Sequence, residues 1–150
     1  MIVDNSVDIL VVEDNDSERA SIVESLRAAV DGVSVAAVAN QKEALDFLFR
    51  RGDWMHRTET DPPSLILLDL GLPDSDGLSI LGEIRSLDPD DALTLTPVVI
   101  FTDSHATTDI SRSYRCGANS YVIKPLSFAD FQAVVEAVGR YWVKHNRVHA

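Results

Sequence analysis

Cysteine is nearly missing from this chain of 150 residues: Cys116 stands alone. No internal disulfide can form, and a reducing compartment such as the cytoplasm suits the chain. Basic residues are in deficit, 13 against 24 acids, for a formal charge of −11. That field disfavours nucleic acid or an anionic membrane as a partner, although a salt-adapted source would explain the acidity equally well. No apolar run approaches a membrane span. The N-terminal MIVDNSVDILVV has neither a basic n-region nor an apolar core long enough for a signal peptide. His56, His105, His145 and His149 show no metal-ligand spacing. Repeats, low-complexity tracts and a glycine-lysine phosphate loop are all missing. Against these gaps, 45% of the residues are hydrophobic, enough to fill a core. The length suits one domain over 1–150, with a core at about 7–142 and a short tail at 143–150.

Short apolar runs alternate with amphipathic segments. Ile9-Leu10-Val11-Val12 reads as a strand buried on both faces, ending at Glu13-Asp14. Asn15 or Asp16 then caps a helix with Ala20, Val23, Leu26 and Val30 on its apolar face. A second strand is expected at Val33–Val38. Asn40 with Glu43 resembles a capping box, opening a helix to about Arg51. Gly52 to Ser64, with Pro62-Pro63, reads as a loop. Leu65–Leu68 is the third strand, and a helix from about Gly77 carries Leu78, Leu81, Ile84 and Leu87 until Pro89 bars it. Val98–Phe101 is the fourth strand. A weaker helix covers Thr107 to Arg115, with Gly117 as its C-cap. Tyr121–Ile123 is the fifth strand. Ser127 and Asp130 box the last helix, which is lined by Phe131, Val134, Val135, Val138 and Trp142. Five strands with helical crossovers imply a parallel, doubly wound α/β sheet with right-handed connections.

Ligands bind at the C-terminal edge of such sheets. There the strands end in Glu13-Asp14, Asp69, Thr102 and Lys124. Converging carboxylates need a cation, and oxygen-only donors suit a hard one such as Mg²⁺. A carboxylate left partly free can attack phosphorus and form an aspartyl phosphate. Mg²⁺, Lys124 and the Thr102 hydroxyl would then meet the phosphoryl oxygens.

Four stretches in order, "VVED" (11–14), "LILLDLGLPDSDG" (65–77), "VVIFTDS" (98–104) and "YVIKP" (121–125), resemble the receiver domains of two-component response regulators. The resemblance covers about residues 7 to 140. It implies a flavodoxin-like fold with strand order 2-1-3-4-5 and Asp69 as phosphoacceptor. It also implies Mg²⁺ held by Glu13, Asp14, Asp69 and the Gly71 carbonyl. Thr102 becomes the switch hydroxyl, Lys124 the phosphate-pairing lysine and Tyr121 the rotating aromatic, with a cis bond at Lys124-Pro125. The partner is a histidine kinase, and the output is a changed binding preference of the face made by the fourth helix, fifth strand and fifth helix. "TDSHATTDISRSYRCGANSYVIKP" and the terminal "RYW" are similar to stand-alone receivers that serve bacterial phytochrome-type histidine kinases. That narrower likeness suggests a homodimer.

Each residue has a plainer reading beside this one. Asp74 and Asp76 read as turn and N-cap residues, "DPDD" (88–91) as a solvated loop, and Cys116 as a small helix-end residue. Tyr121 is as readily plain packing as a switch. Tyr141, Trp142 and Val143 make either a contact patch or packing against the first helix. Asp103, next to Thr102, departs from the small residue common there in receivers and adds an acid to the rim of an acidic pocket. Rival functions are a Mg²⁺-dependent phosphohydrolase, a flavin or nucleotide carrier and an unphosphorylated scaffold. Dehalogenase-type phosphatases want an acid two residues after the nucleophile, where this chain has Gly71. The carrier would need phosphate to sit in the acidic "EDNDSE" loop. The expectation is therefore a signalling phosphoacceptor and not an enzyme.

Overall fold

The structure, a computed structural model, describes residues 7–57 and 62–147. Five parallel strands, β1 (Ile9–Val12), β2 (Val35–Val38), β3 (Leu65–Leu68), β4 (Val98–Thr102) and β5 (Ser120–Ile123), lie in the order β2-β1-β3-β4-β5. Helices α1 (Asp16–Ala29), α2 (Gln41–Leu48), α3 (Leu78–Arg85), α4 (Thr107–Arg115) and α5 (Phe128–Gly139) connect and cover them. This is the flavodoxin-like architecture expected from the sequence.

Alternation along the strands explains the two layers. Leu10, Val12, Ile66, Leu68, Val98 and Ile100 enter one core with Phe47 of α2 and Leu78, Leu81 and Ile84 of α3. Ile9, Val11, Leu65, Leu67, Val99 and Phe101 enter the other with Ile22 and Leu26 of α1 and Phe131 and Val135 of α5. Every residue of β1, β3 and β4 is buried, as uniformly apolar strands require. Gly139 marks where α5 meets α1: a Cβ there would lie 2.8 Å from Leu26 Cδ2.

The caps follow the sequence closely. Asn15 accepts from Glu18 N–H, Asn40 from Glu43 N–H, and Ser127 from Asp130 N–H. Glu43 turns its carboxylate back on Ala39 N–H at 2.8 Å, one residue before the cap. Several boundaries move. β2 begins at Val35 because Val33 N–H closes a turn on Val30 and Ser34 N–H bonds the Asp8 carboxylate. α2 stops at Leu48, where Arg50 and Gly52 take positive φ. The expected loop contains a 3-10 turn, Gly52–Trp54, with Trp54 edge-on to Phe47 at 4.9 Å. Arg57 covers the same ring and donates to the Phe47 carbonyl. β4 extends to Thr102, so this hydroxyl stands on the last strand residue.

Asp74 is a turn residue that caps a neighbour: its carboxylate accepts from Gln41 and Lys42 N–H, 2.9 and 3.1 Å, at the start of α2. Asp76 accepts from Leu78 N–H at 3.1 Å as α3 begins. Beyond Gly139 the last helix continues as a π turn, Arg140–His145. Trp142 and Val143 pack on the α1/α5-side core, and Tyr141, half exposed, meets Trp142 edge-to-face at 5.1 Å. Self-packing therefore takes two of these three residues. His149 lies outside the described residues.

Candidate phosphoacceptor site

The sheet ladder runs one bond past the strand ends. Glu13 N–H donates to Val38 O at 3.0 Å, Asp69 N–H to Val12 O at 3.1 Å, and Lys124 N–H to Thr102 O at 2.8 Å. These bonds fix the three backbones side by side on the C-terminal edge. Side-chain parity then sorts them. Glu13 and Asp69 follow Val11 and Leu67 onto the α1/α5 face, and Lys124 follows Val122 there. Thr102 follows Ile100 toward the opposite face, which it shares with Tyr121.

Lys124 Nζ sits among three carboxylates: Glu13 Oε1 at 2.6 Å, Glu18 Oε2 at 2.8 Å and Asp69 Oδ2 at 2.9 Å. Its side chain is 2% exposed. The other Asp69 oxygen accepts from Gly71 N–H at 3.1 Å, and Glu13 Oε2 from Asn15 N–H at 3.0 Å. One cavity of about 540 Å³ is lined by Glu13, Asp14, Asp69, Gly71, Thr102 and Lys124, so the expected residues meet. Tyr121, paired with Ile100 across the β4–β5 ladder, donates its hydroxyl to Ser104 O at 2.9 Å. Asp103, exposed, lines the same mouth. The Lys124–Pro125 bond is trans, since no peptide bond among the described residues is cis. This corrects the cis expectation; an X–Pro bond intrinsically favours trans by about 0.5–1 kcal/mol.

Sequence reasoning missed Glu18, the third partner of Lys124. The available signal was its place in the first turn of a helix that starts directly after the acidic pair.

Charge at the site is unbalanced. Burial pushes the Glu13 carboxyl up to about 7, against the pull of its Lys124 hydrogen bond, with Asp69 adding like-charge repulsion. Burial opposes ionisation of Asp69 too, but its hydrogen bond and charge contact with Lys124 prevail and hold it below the usual carboxylate range. Burial likewise opposes the Lys124 charge, yet the hydrogen bonds it donates to Glu13, Glu18 and Asp69 raise it above its ordinary value. One oxygen each from Glu13, Asp14 and Asp69 falls within a mutual 4.8 Å. An oxygen-only cluster carrying surplus negative charge fits a hard divalent cation.

The raised Glu13 pKa gives a signed prediction. A raised folded-state pKa stabilises below the ordinary value, 4.5, and that stability is lost as pH rises through about 7. Asp69 works oppositely, losing stability as pH falls below its ordinary 3.8. Cation-free protein is expected to lose up to about 3 kcal/mol between about pH 5 and 8. Saturating divalent cation is expected to remove most of that loss. Urea melts at the two pH values, with and without cation, check it; a cation-free stability that does not fall over this range rejects it.

Comparison with known proteins agrees with this geometry. Residues 9–136 match the response regulator receiver domain family. The probable methanogenesis regulatory protein FilR2 of Methanothrix harundinacea is 36% identical over 93% of this chain and 85% of its own length. Response regulator Rcp1 of Synechocystis sp. is 33% identical over 91% of this chain and 88% of its own. Among solved structures, the phosphorylated cyanobacterial phytochrome response regulator RcpA superposes with a TM-score of 0.84 at 32% identity, covering 95% of this chain and 97% of that one. The Mn²⁺-bound form of Rcp1 gives 0.83 at 31%, covering 95% and 98%. Five strands in the order 2-1-3-4-5, an acidic cup at their C-terminal edge and these relatives converge on one assignment: the chain belongs to the response regulator receiver domain family.

Proposed function

We propose that residues 1–150 form a single receiver, core 7–142, that a histidine kinase phosphorylates on Asp69. The observation that carries this reading is the single cavity joining Asp69 to Glu13, Asp14, Thr102 and Lys124. An Asp69 carboxylate oxygen attacks phosphorus, the bond to the donor histidine nitrogen breaks, and the imidazole leaves with the electron pair. Lys124 pairs with the phosphoryl oxygens and the Thr102 hydroxyl donates to one of them. Mg²⁺ would be held by the carboxylates of Glu13, Asp14 and Asp69 and the Gly71 carbonyl, and when bound supplies charge that offsets that of the phosphoryl group. Water later attacks the same phosphorus and returns the carboxylate and inorganic phosphate, so the chemistry is confined to the chain itself and serves signalling, not metabolism.

Thr102 and Tyr121 share a face of the sheet, which supports a switch in which Thr102 moves toward the phosphoryl group and Tyr121 follows. Phosphorylation then favours one arrangement of the α4-β5-α5 face over another. The likeness to phytochrome response regulators supports a phytochrome-type kinase as partner. Tyr141, exposed at the end of the last helix, supports a homodimer contact. A cytoplasmic location fits the lone, unpaired cysteine; among the described residues, no helix is long and apolar enough to cross a membrane.

Incubation with acetyl phosphate and Mg²⁺, read by intact mass and peptide mapping, tests the reading. A phosphoryl adduct on Asp69 is expected; its absence at saturating Mg²⁺ would sink the proposal, and continuous multiple turnover would favour a hydrolase. Asp103→Ala is expected to accelerate uptake about twofold to tenfold, because an acid at the mouth repels an anionic donor. Equal rates for parent and variant at saturating Mg²⁺ reject that role.

A further inference from the structure

Glu18 lies in the first turn of α1 and lines two cavities. One is the acidic cup. The other is a groove of about 280 Å³ bordered by Ser21, Pro125, Leu126 and Phe131. The Lys124 ammonium has three donors, and Glu13, Glu18 and Asp69 accept from it at 2.6, 2.8 and 2.9 Å. Glu13 and Asp69 also belong to the group whose oxygens converge within 4.8 Å; Glu18 does not.

This asymmetry has a physical consequence. A divalent cation held among Glu13, Asp14 and Asp69 would share two of the three lysine acceptors and would repel the ammonium at close range. A buried charge stripped of its partners is costly. Glu18 is the one lysine acceptor outside that cluster. Its side chain is 33% exposed, against 2% for Glu13 and 10% for Asp69, so of the three acceptors it is the one most open to solvent. We propose that Glu18 is a positioning residue that parks Lys124 at the α1 edge of the cup, letting the cup take a divalent cation without stranding the buried ammonium. The inference rests on the reading of the cup as a cation-dependent phosphoacceptor site, and it adds a residue outside the converging acids. Glu18 lies outside the converging oxygens and acts through Lys124.

Mn²⁺ binding, measured from the electron paramagnetic resonance of the free ion, tests this without phosphoryl transfer. Glu18→Gln keeps an acceptor oxygen and removes the charge. Its Mn²⁺ dissociation constant is expected to rise about fivefold, equivalent to about 1 kcal/mol. In a Lys124→Met background the same change is expected to alter the constant less than about twofold, because the ammonium through which Glu18 acts is gone. An unchanged constant in the first comparison overturns the proposal. So does an equal fold-change in both backgrounds, which would mark a direct charge effect or a purely structural one. Should Lys124→Met fail to fold by circular dichroism, hydrogen exchange of the Lys124 ammonium in ¹⁵N-lysine protein at saturating Mg²⁺ decides. Exchange at least about tenfold faster in Glu18→Gln is expected, and equal rates overturn the idea. A parent that takes no phosphoryl group on Asp69 would sink the wider reading and leave the Mn²⁺ comparison standing. A normal adduct with unaltered Mn²⁺ binding in Glu18→Gln sinks this proposal alone.

Discussion

Lys124→Met is expected to slow phosphoryl uptake from acetyl phosphate by about 100-fold or more, the usual scale for removing one preorganised charged donor. The same change is expected to destabilise the cation-free protein by about 3–5 kcal/mol, since breaking a buried ion pair leaves the other charge uncompensated. Both effects follow from one geometry. Methionine keeps most of the length and apolar bulk of the lysine stem, so packing near Phe101, whose ring lies 5.9 Å from Nζ, changes little. What disappears is the cation between Glu13, Glu18 and Asp69. The sign with pH is definite. Lys124 is held above its ordinary 10.5, so its contribution is fully present below that value and is lost only as pH rises through the higher folded-state value. The deficit should therefore persist at neutral pH and shrink when Mg²⁺ supplies charge to the same carboxylates. Urea melts with and without Mg²⁺ measure the stability arm, and intact-mass time courses at saturating Mg²⁺ measure the chemical arm. A folded Lys124→Met protein that takes up phosphoryl at the parental rate would remove Lys124 from the mechanism.

The strands and the cup were legible because both depend on short-range pattern. Leu65–Leu68 and the cap residues Asn15, Asn40 and Ser127 emerge where local chemistry dictates them. Acids directly after buried strands had to sit at a sheet edge, and the register that joins Val12, Leu68 and their neighbours brings Glu13 beside Asp69. The unread features depend on contacts distant in sequence. Glu18 reaches Lys124 across 106 positions, and nothing in its own neighbourhood announces that partner. Asp74 caps α2 from the loop after β3, a role set by how the α2 start and that loop approach each other. Arg85 donates to the carbonyls of Thr94, Thr96 and Gly117 and to the Asn119 side chain, tying α3 to the segments around β4 and β5. Among the described residues its charge pairs with no carboxylate, so no charge pattern could have revealed it. The end of the last helix divides for the same reason: Trp142 and Val143 find their own core, and only Tyr141 is left largely to solvent.

Gly77→Ala should show how tightly the site depends on the loop behind it. Gly77 caps α3 with φ +80°, a conformation that costs an L-residue about 1–2 kcal/mol. Space is tighter still. A Cβ would lie 2.6 Å from the Asp69 carbonyl oxygen and 3.0 Å from Leu70 Cα, both backbone atoms of the loop after β3. Relief requires moving either the start of α3, anchored by buried Leu78, Leu81 and Ile84, or the backbone of Asp69 itself. Strain and clash together are expected to cost about 3–4 kcal/mol. Phosphoryl uptake in the folded fraction is expected to fall about 100-fold, the scale of a misplacement near 1 Å. Gly77→Asn separates the two causes, because asparagine tolerates positive φ but still carries a Cβ. The contact with Asp69 predicts that Asn recovers part of the stability and little of the phosphorylation rate. Full recovery of the rate in Gly77→Asn would show that backbone conformation alone matters at this position, and that the close approach of Gly77 does not set the place of Asp69.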